Sequence, residues 1–176
     1  MTRVDFYVLN DAAPQSRALF ACRLIEKAYK LGNRVFVRVA DATQEKLMDD
    51  LLWTFSHGSF VPHSTLKADD NDSPVRIGLA PPTSATQDVL VNLAADMPSA
   101  FETFARVAEI VAPIEPARSQ ARERFRQYRT QGCQVTSHDV GKQTRMTDDA
   151  KLSREAIERS VAQLPDQPFA DRKSVV

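Results

Sequence analysis

Hydrophobic and polar positions along this chain alternate between two periods. Val4 to Leu9 (VDFYVL) is a short, nearly continuous apolar run, the pattern of a strand buried on both faces. After the turn NDAAPQS, Arg17 to Leu31 spaces Ala18, Cys22, Ile25 and Tyr29 near the helical period, and Gly32 stands where that helix should stop. Arg34 to Ala40 (RVFVRVA) is rich in β-branched residues and predicts a second strand. Asp41 or Thr43 is placed to cap a second helix, which runs to about Trp53 and buries Leu47, Leu51 and their neighbours. Thr54 to Asp72 predicts a loop, aromatic in its first half (FSHGSFVPH) and polar in its second (STLKADDNDS). Val75 to Ala80 and Asp88 to Leu93 predict strands, Pro98 to about Phe104 one or two helical turns, and Arg106 to Ala112 (RVAEIVA) another strand. A third helix follows, and Gln134, Val135 and Thr136 predict a short last strand. This α/β alternation predicts a three-layer, open, mostly parallel sheet with helices on both faces.

The composition changes after about His138. Residues 1–140 read as one α/β domain and residues 141–176 as a charged appendage, partly helical or disordered. Within the appendage, Asp148 to Leu164 has the spacing of an isolated amphipathic helix that ends at Pro165. A length of 176 residues with 43% hydrophobic residues supports one core and a tail. Lys+Arg and Asp+Glu both number 23, so global charge gives no push toward nucleic acid or membrane. Cys22 and Cys133 stand far apart and outside any redox or metal motif, the N-terminal stretch lacks a secretory pattern, and no apolar run approaches a membrane span. A cytoplasmic protein is the expectation.

The third helix, Glu115 to Gly132 (EPARSQARERFRQYRTQG), concentrates charge that the whole chain lacks. Pro116 suits its first turn and Gly132 its end. At about 100° per residue, Arg118, Arg122, Arg126 and Arg129 share one stripe with Phe125 at its edge. Ala117, Ala121 and Tyr128 share the face to be buried. Arg124 falls near that face, where it must snorkel or find a carboxylate. Two readings of the stripe stand: a solvated charged face, or a site for acidic residues beside an apolar side chain or for a phosphate backbone.

Other chemistry finds little support. The five glycines have neither dinucleotide nor phosphate-loop spacing, and Asp11 in the first turn would repel a phosphate. His57 and His63 lack a neighbouring Cys or carboxylate to complete a metal set. No serine or cysteine has a base visible in sequence. No catalytic site, metal or cofactor is therefore expected. The stretch Trp53, Phe55, Phe60, Val61 and Pro62 is the most aromatic of the chain. It reads either as a lid folded onto the core or as a hydrophobic protein interface with a Trp/Phe anchor.

FYVLND near the N-terminus, LLW followed by SFVPH, DVLVNL, and above all ARERFRQYR at 121–129 resemble the chi subunits of bacterial DNA polymerase III holoenzyme, over about residues 1–138. The resemblance implies a Rossmann-like fold without a nucleotide and a non-catalytic adaptor, a monomer that pairs with the psi subunit of the clamp loader. It implies that Arg118, Arg122, Arg126 and Arg129, with Phe125, bind the acidic C-terminal tip of single-stranded-DNA-binding protein, which ends in Pro-Phe. Contact with single-stranded DNA would then be indirect. It implies that Trp53 and Phe60, with Val61 and Pro62, bind psi. Position 125, often Tyr in the family, is Phe here, so a hydroxyl is lost while the ring remains. The segment before the arginine helix is shorter than in other chi subunits. The resemblance does not extend to the appendage. Its Pro165-Asp166-Gln167-Pro168-Phe169 is loosely similar to an acidic tip but has no free carboxylate, so it reads either as a visitor to the arginine site or as a solvated tail. Two other classes remain open: a direct single-stranded nucleic-acid binder with Phe125 stacked on a base, and an α/β enzyme whose site is not visible in sequence.

Overall fold

The computed structural model describes residues 1–68, 72–83 and 87–141. The appendage readings, including the 148–164 helix, lie outside the described residues. The elements are β1 (Arg3–Val8), α1 (Ser16–Lys30), β2 (Val35–Arg38), α2 (Ala42–Thr54), β3 (His63–Thr65), β4 (Val75–Gly78), β5 (Val89–Asn92), β6 (Arg106–Val111), α3 (Ala117–Thr130) and β7 (Gln134–Asp139). The strands form one sheet in the order β3-β4-β2-β5-β6-β1-β7, with every pairing parallel.

Parallel neighbours need crossovers, and the crossovers supply the outer layers. One face of the sheet packs Tyr7, Val37 and Ile110 against Phe20, Leu24 and Ile25 of α1 and Met48 and Leu52 of α2. The other face packs Val4, Phe6, Leu90 and Val107 against Phe101, Phe104 and, from α3, Ala121 and Tyr128. The apolar runs of β1, β5 and β6 follow directly from this double coverage.

Local chemistry sets the element ends. Asp41 caps α2, its carboxylate accepting from the Gln44 amide at 2.8 Å. Helix α3 ends in a Schellman motif: Gly132 has φ +80° and donates to Arg129 O at 3.0 Å, and Cys133 N–H donates to Tyr128 O at 3.1 Å. Asp11, in the turn after β1, accepts from Ala13 N–H at 2.9 Å and from the Ser16 hydroxyl at 2.6 Å, so its own carboxylate occupies the approach to α1.

Three details differ from the sequence expectation. His63–Thr65 is a strand inside the segment expected to be loop, an edge strand too short for a hydrophobic alternation to show. Leu47 is exposed, and Met48 and Leu52 take the buried face of α2 instead. The expected helical turn between Pro98 and Phe104 is present, as a single 3-10 turn at Phe101–Thr103. The last strand extends to Asp139 because its whole length pairs with β1, from Arg3↔Gln134 to Val8↔Asp139.

A buried charge cluster holds β7 to the sheet. Asp5 in β1 lies 2.8 Å from Arg106 of β6 and 2.7 Å from Nε2 of His138 in β7, and the His138 ring stacks on Tyr7. Strands β1 and β6 are adjacent, yet β1 leads into α1 on one face and β6 into α3 on the other. Their carboxyl ends therefore form a topological switch point, the place where open α/β sheets leave a crevice.

Candidate functional site

A groove of about 350 Å³ opens at that switch point. Its floor is Phe6, Val8 and Val111. Cross-strand register places Val111, Val8 and Asp139 in one row and Glu109, Phe6 and Ser137 in the next. Ser137 and Asp139 make the β7 wall, and Arg118, Ala121, Arg122, Phe125 and Arg126 make the α3 wall. Phe125 is half-buried and packs on Phe6 with ring centroids 5.3 Å apart. The site thus joins three guanidiniums to an apolar floor. Arg129 points in the same angular direction but does not line the groove, because it lies about 16 Å along the helix axis from Arg118.

The arginines are presented, not consumed. Arg118, Arg122 and Arg126 are exposed, and the contact of Arg126 with Glu123 (3.3 Å, both side chains more than half exposed) is a surface pair of small energetic weight. At the start of α3, Glu115 accepts from Ser119 N–H at 3.1 Å and from the Ser119 hydroxyl. Those bonds, with Arg122 and Arg118 nearby, hold the Glu115 carboxyl below its ordinary range.

Beneath the helix lies a buried polar network. Glu109 of β6 is fully buried. Its carboxylate accepts from Tyr128 Oη at 2.9 Å, from Asn92 Nδ2 at 3.0 and 3.1 Å, and from Arg124 Nε at 3.1 Å, with Arg124 Nη2 at 3.0 Å. Arg124 also donates to Ala95 O. Arg124 therefore finds its carboxylate. Burial, then the adjoining Glu109 charge, pushes the Tyr128 phenol up, so its hydroxyl stays a donor.

The aromatic stretch divides between the two readings given above. Trp53 and Phe60 are 53% and 64% exposed, with ring centroids 5.7 Å apart. Phe55 and Val61 fold into the core, so Val61 is not available to a partner; its apolar neighbours exclude water from it completely. Pro62 is half-buried. The buried His63 ring lies beneath Trp53 at 4.5 Å, with Nδ1 2.6 Å from the Val61 carbonyl oxygen and Nε2 3.0 Å from that of Asp49, and so sits between the loop and α2. His57 is exposed and distinct from this cluster. The patch sits at the β3 edge of the sheet, about 24 Å across the strands from β1 at the usual strand spacing. Among the described residues no group of three His, Cys, Asp or Glu side chains is arranged to hold a metal, and no helix is long and apolar enough to cross a membrane.

Residues 1–136 match the family described as DNA polymerase III chi subunit, HolC. The chain belongs to the chi subunit family. It is 43% identical over 138 residues to DNA polymerase III subunit chi of Pseudomonas aeruginosa, covering 78% of this chain and 96% of that protein. The Haemophilus influenzae subunit chi is 28% identical over 139 residues, covering 78% and 96% respectively. The Escherichia coli subunit chi is 27% identical over 138 residues, covering 75% and 94%. In this chi-family chain the ARERFRQYR stretch has two duties on two faces of one helix. Arg122, Phe125 and Arg126 face the groove, while Arg124 and Tyr128 face Glu109. Sequence reasoning found the first face by its period. It missed Glu109 and Asn92, although a lone carboxyl inside the apolar run RVAEIVA was a visible signal of a buried partner.

Proposed function

We propose that the protein is a non-catalytic adaptor subunit of the replicative DNA polymerase, joining psi of the clamp loader to the acidic C-terminal tip of single-stranded-DNA-binding protein. The observation that carries this reading is the groove itself, in which Arg118, Arg122 and Arg126 stand over Phe6, Val8 and Val111. Carboxylates suit the guanidiniums, and an aromatic residue beside them suits the floor. Trp53 and Phe60, an exposed pair at the far edge of the sheet, suit a second protein. Both docking sites are assigned to residues 1–140, the α/β domain, and none to 141–176.

The deciding experiment compares two labelled probes, an aspartate-rich peptide ending in Pro-Phe with a free carboxylate and a single-stranded oligonucleotide. The peptide is expected to bind the isolated protein, more weakly as salt rises, and the oligonucleotide is expected not to bind. Binding of the oligonucleotide alone would replace the adaptor reading by direct nucleic-acid binding.

The far edge has its own test. Phe60→Ala is expected to weaken psi association by about 2 kcal/mol or more, the loss typical of a buried interface anchor, and to leave peptide affinity unchanged. Retained psi binding by a folded variant would remove Phe60 from the interface.

A further inference from the structure

The groove depends on a helix with little apolar surface to hold it. The apolar residues of α3 are Ala117, Ala121, Phe125 and Tyr128, and two of these four are alanines. The two alanines add few interlocking contacts, so packing against a roll of the helix about its own axis rests on Phe125 and Tyr128, whose rings meet Phe6 and Phe101. Such a roll matters at the groove. Turning α3 by about 30° moves a point at its side-chain radius by about 3 Å, a full hydrogen-bond length.

Polar contacts add a directional constraint to that packing. Arg124 and Tyr128 are one turn apart, and both donate to Glu109, at 3.1 and 2.9 Å. Asn92 of β5 holds the same carboxylate from the sheet side at 3.0 Å. A roll of α3 breaks both helix bonds together and strands a carboxylate that has no access to water. One rotation is therefore much better than its neighbours, and it is the rotation that aims Arg118, Arg122 and Arg126 at the groove.

We infer that Glu109 is a positioning residue for acidic-peptide binding: it touches no ligand, and it sets the rotation of α3 through Arg124 and Tyr128. The inference rests on the adaptor reading. It is tested on the full chain with Glu109→Gln and, as a milder change that keeps the ring, Tyr128→Phe. Peptide affinity is measured by anisotropy with the same aspartate-rich Pro-Phe peptide, at a temperature where circular dichroism shows each variant folded. Psi association serves as the reference, because it uses the opposite edge of the sheet. The expected result is a peptide Kd raised about three- to tenfold by Glu109→Gln and about twofold by Tyr128→Phe, with psi affinity unchanged, in line with the loss of one or two preorganising hydrogen bonds. Equal peptide affinity in wild type and folded variants overturns the inference and leaves the adaptor reading standing. Parallel losses at both docking sites overturn it too, since they mark general destabilisation. If Glu109→Gln does not fold, Tyr128→Phe alone decides. No peptide binding by wild type overturns the adaptor reading and this inference with it.

Discussion

Alanine at both Arg122 and Arg126 is expected to lower affinity for the aspartate-rich Pro-Phe peptide about a hundredfold. Both side chains line the groove from the outward face of α3. A charge-assisted hydrogen bond contributes about 1.5–3 kcal/mol, and solvent screening at these exposed positions brings each to about the lower end, or roughly tenfold. Raising salt should shrink the difference between wild type and variant, because the lost term is electrostatic. Arg129→Ala is the internal comparison. It lies beyond the groove and is expected to change affinity by less than about twofold, the size of an ordinary screened surface charge. Titration calorimetry of the two variants decides. Loss at Arg129 with retention at Arg122 and Arg126 would move the site toward the C-terminal end of α3.

Arg124→Ala is expected to act on stability. It removes the partner of a fully buried carboxylate, which typically costs about 3–5 kcal/mol. For a domain of this size that corresponds to a melting temperature lower by about 10 °C or more. Arg122→Ala, on the exposed face of the same helix, should stay within about 0.5 kcal/mol of wild type. Thermal denaturation of both variants separates the two faces. Equal melting temperatures would show that the Glu109 network does not stabilise the fold. Replacing Arg124 and Glu109 together by Met should recover much of the loss, since neither member of that pair is then left buried without the other.

The contrast between those two arginines also shows what the sequence could and could not reveal. Helical period alone separated an outward stripe from an inward face, and Arg118, Arg122, Phe125 and Arg126 fell where the structure puts them. Angle says nothing about axial extent, which is why Arg129 shared the stripe but not the groove. The α/β alternation was legible because β1, β5 and β6 are central strands covered on both sides. The edge strand His63–Thr65 was not, because three residues at a sheet edge carry no period. The Glu109 network joins residues 15, 17 and 19 positions apart, on two strands and a helix, and convergence of that kind has no local signature. The exposed and buried members of the Trp53–Pro62 stretch were likewise inseparable until the turn placed Val61 inside and Phe60 outside.

The place of β1 in the sheet has a kinetic consequence. Its two neighbours are β6 and β7, so Arg3 pairs with Arg106 and Gln134, about a hundred residues further along the chain. Ribosomes add about 5–20 residues per second, so the VDFYV segment leaves the site of synthesis roughly 5–20 seconds before its first partner exists. During that interval the strands β2 to β5 have partners among themselves, while β1 has both edges open and Phe6 without the α3 rings that cover it. Loop closure over such a distance is slow as well as late. The floor of the groove is thus among the last parts of the molecule to form, and the nascent chain is most exposed to aggregation at its amino-terminal strand.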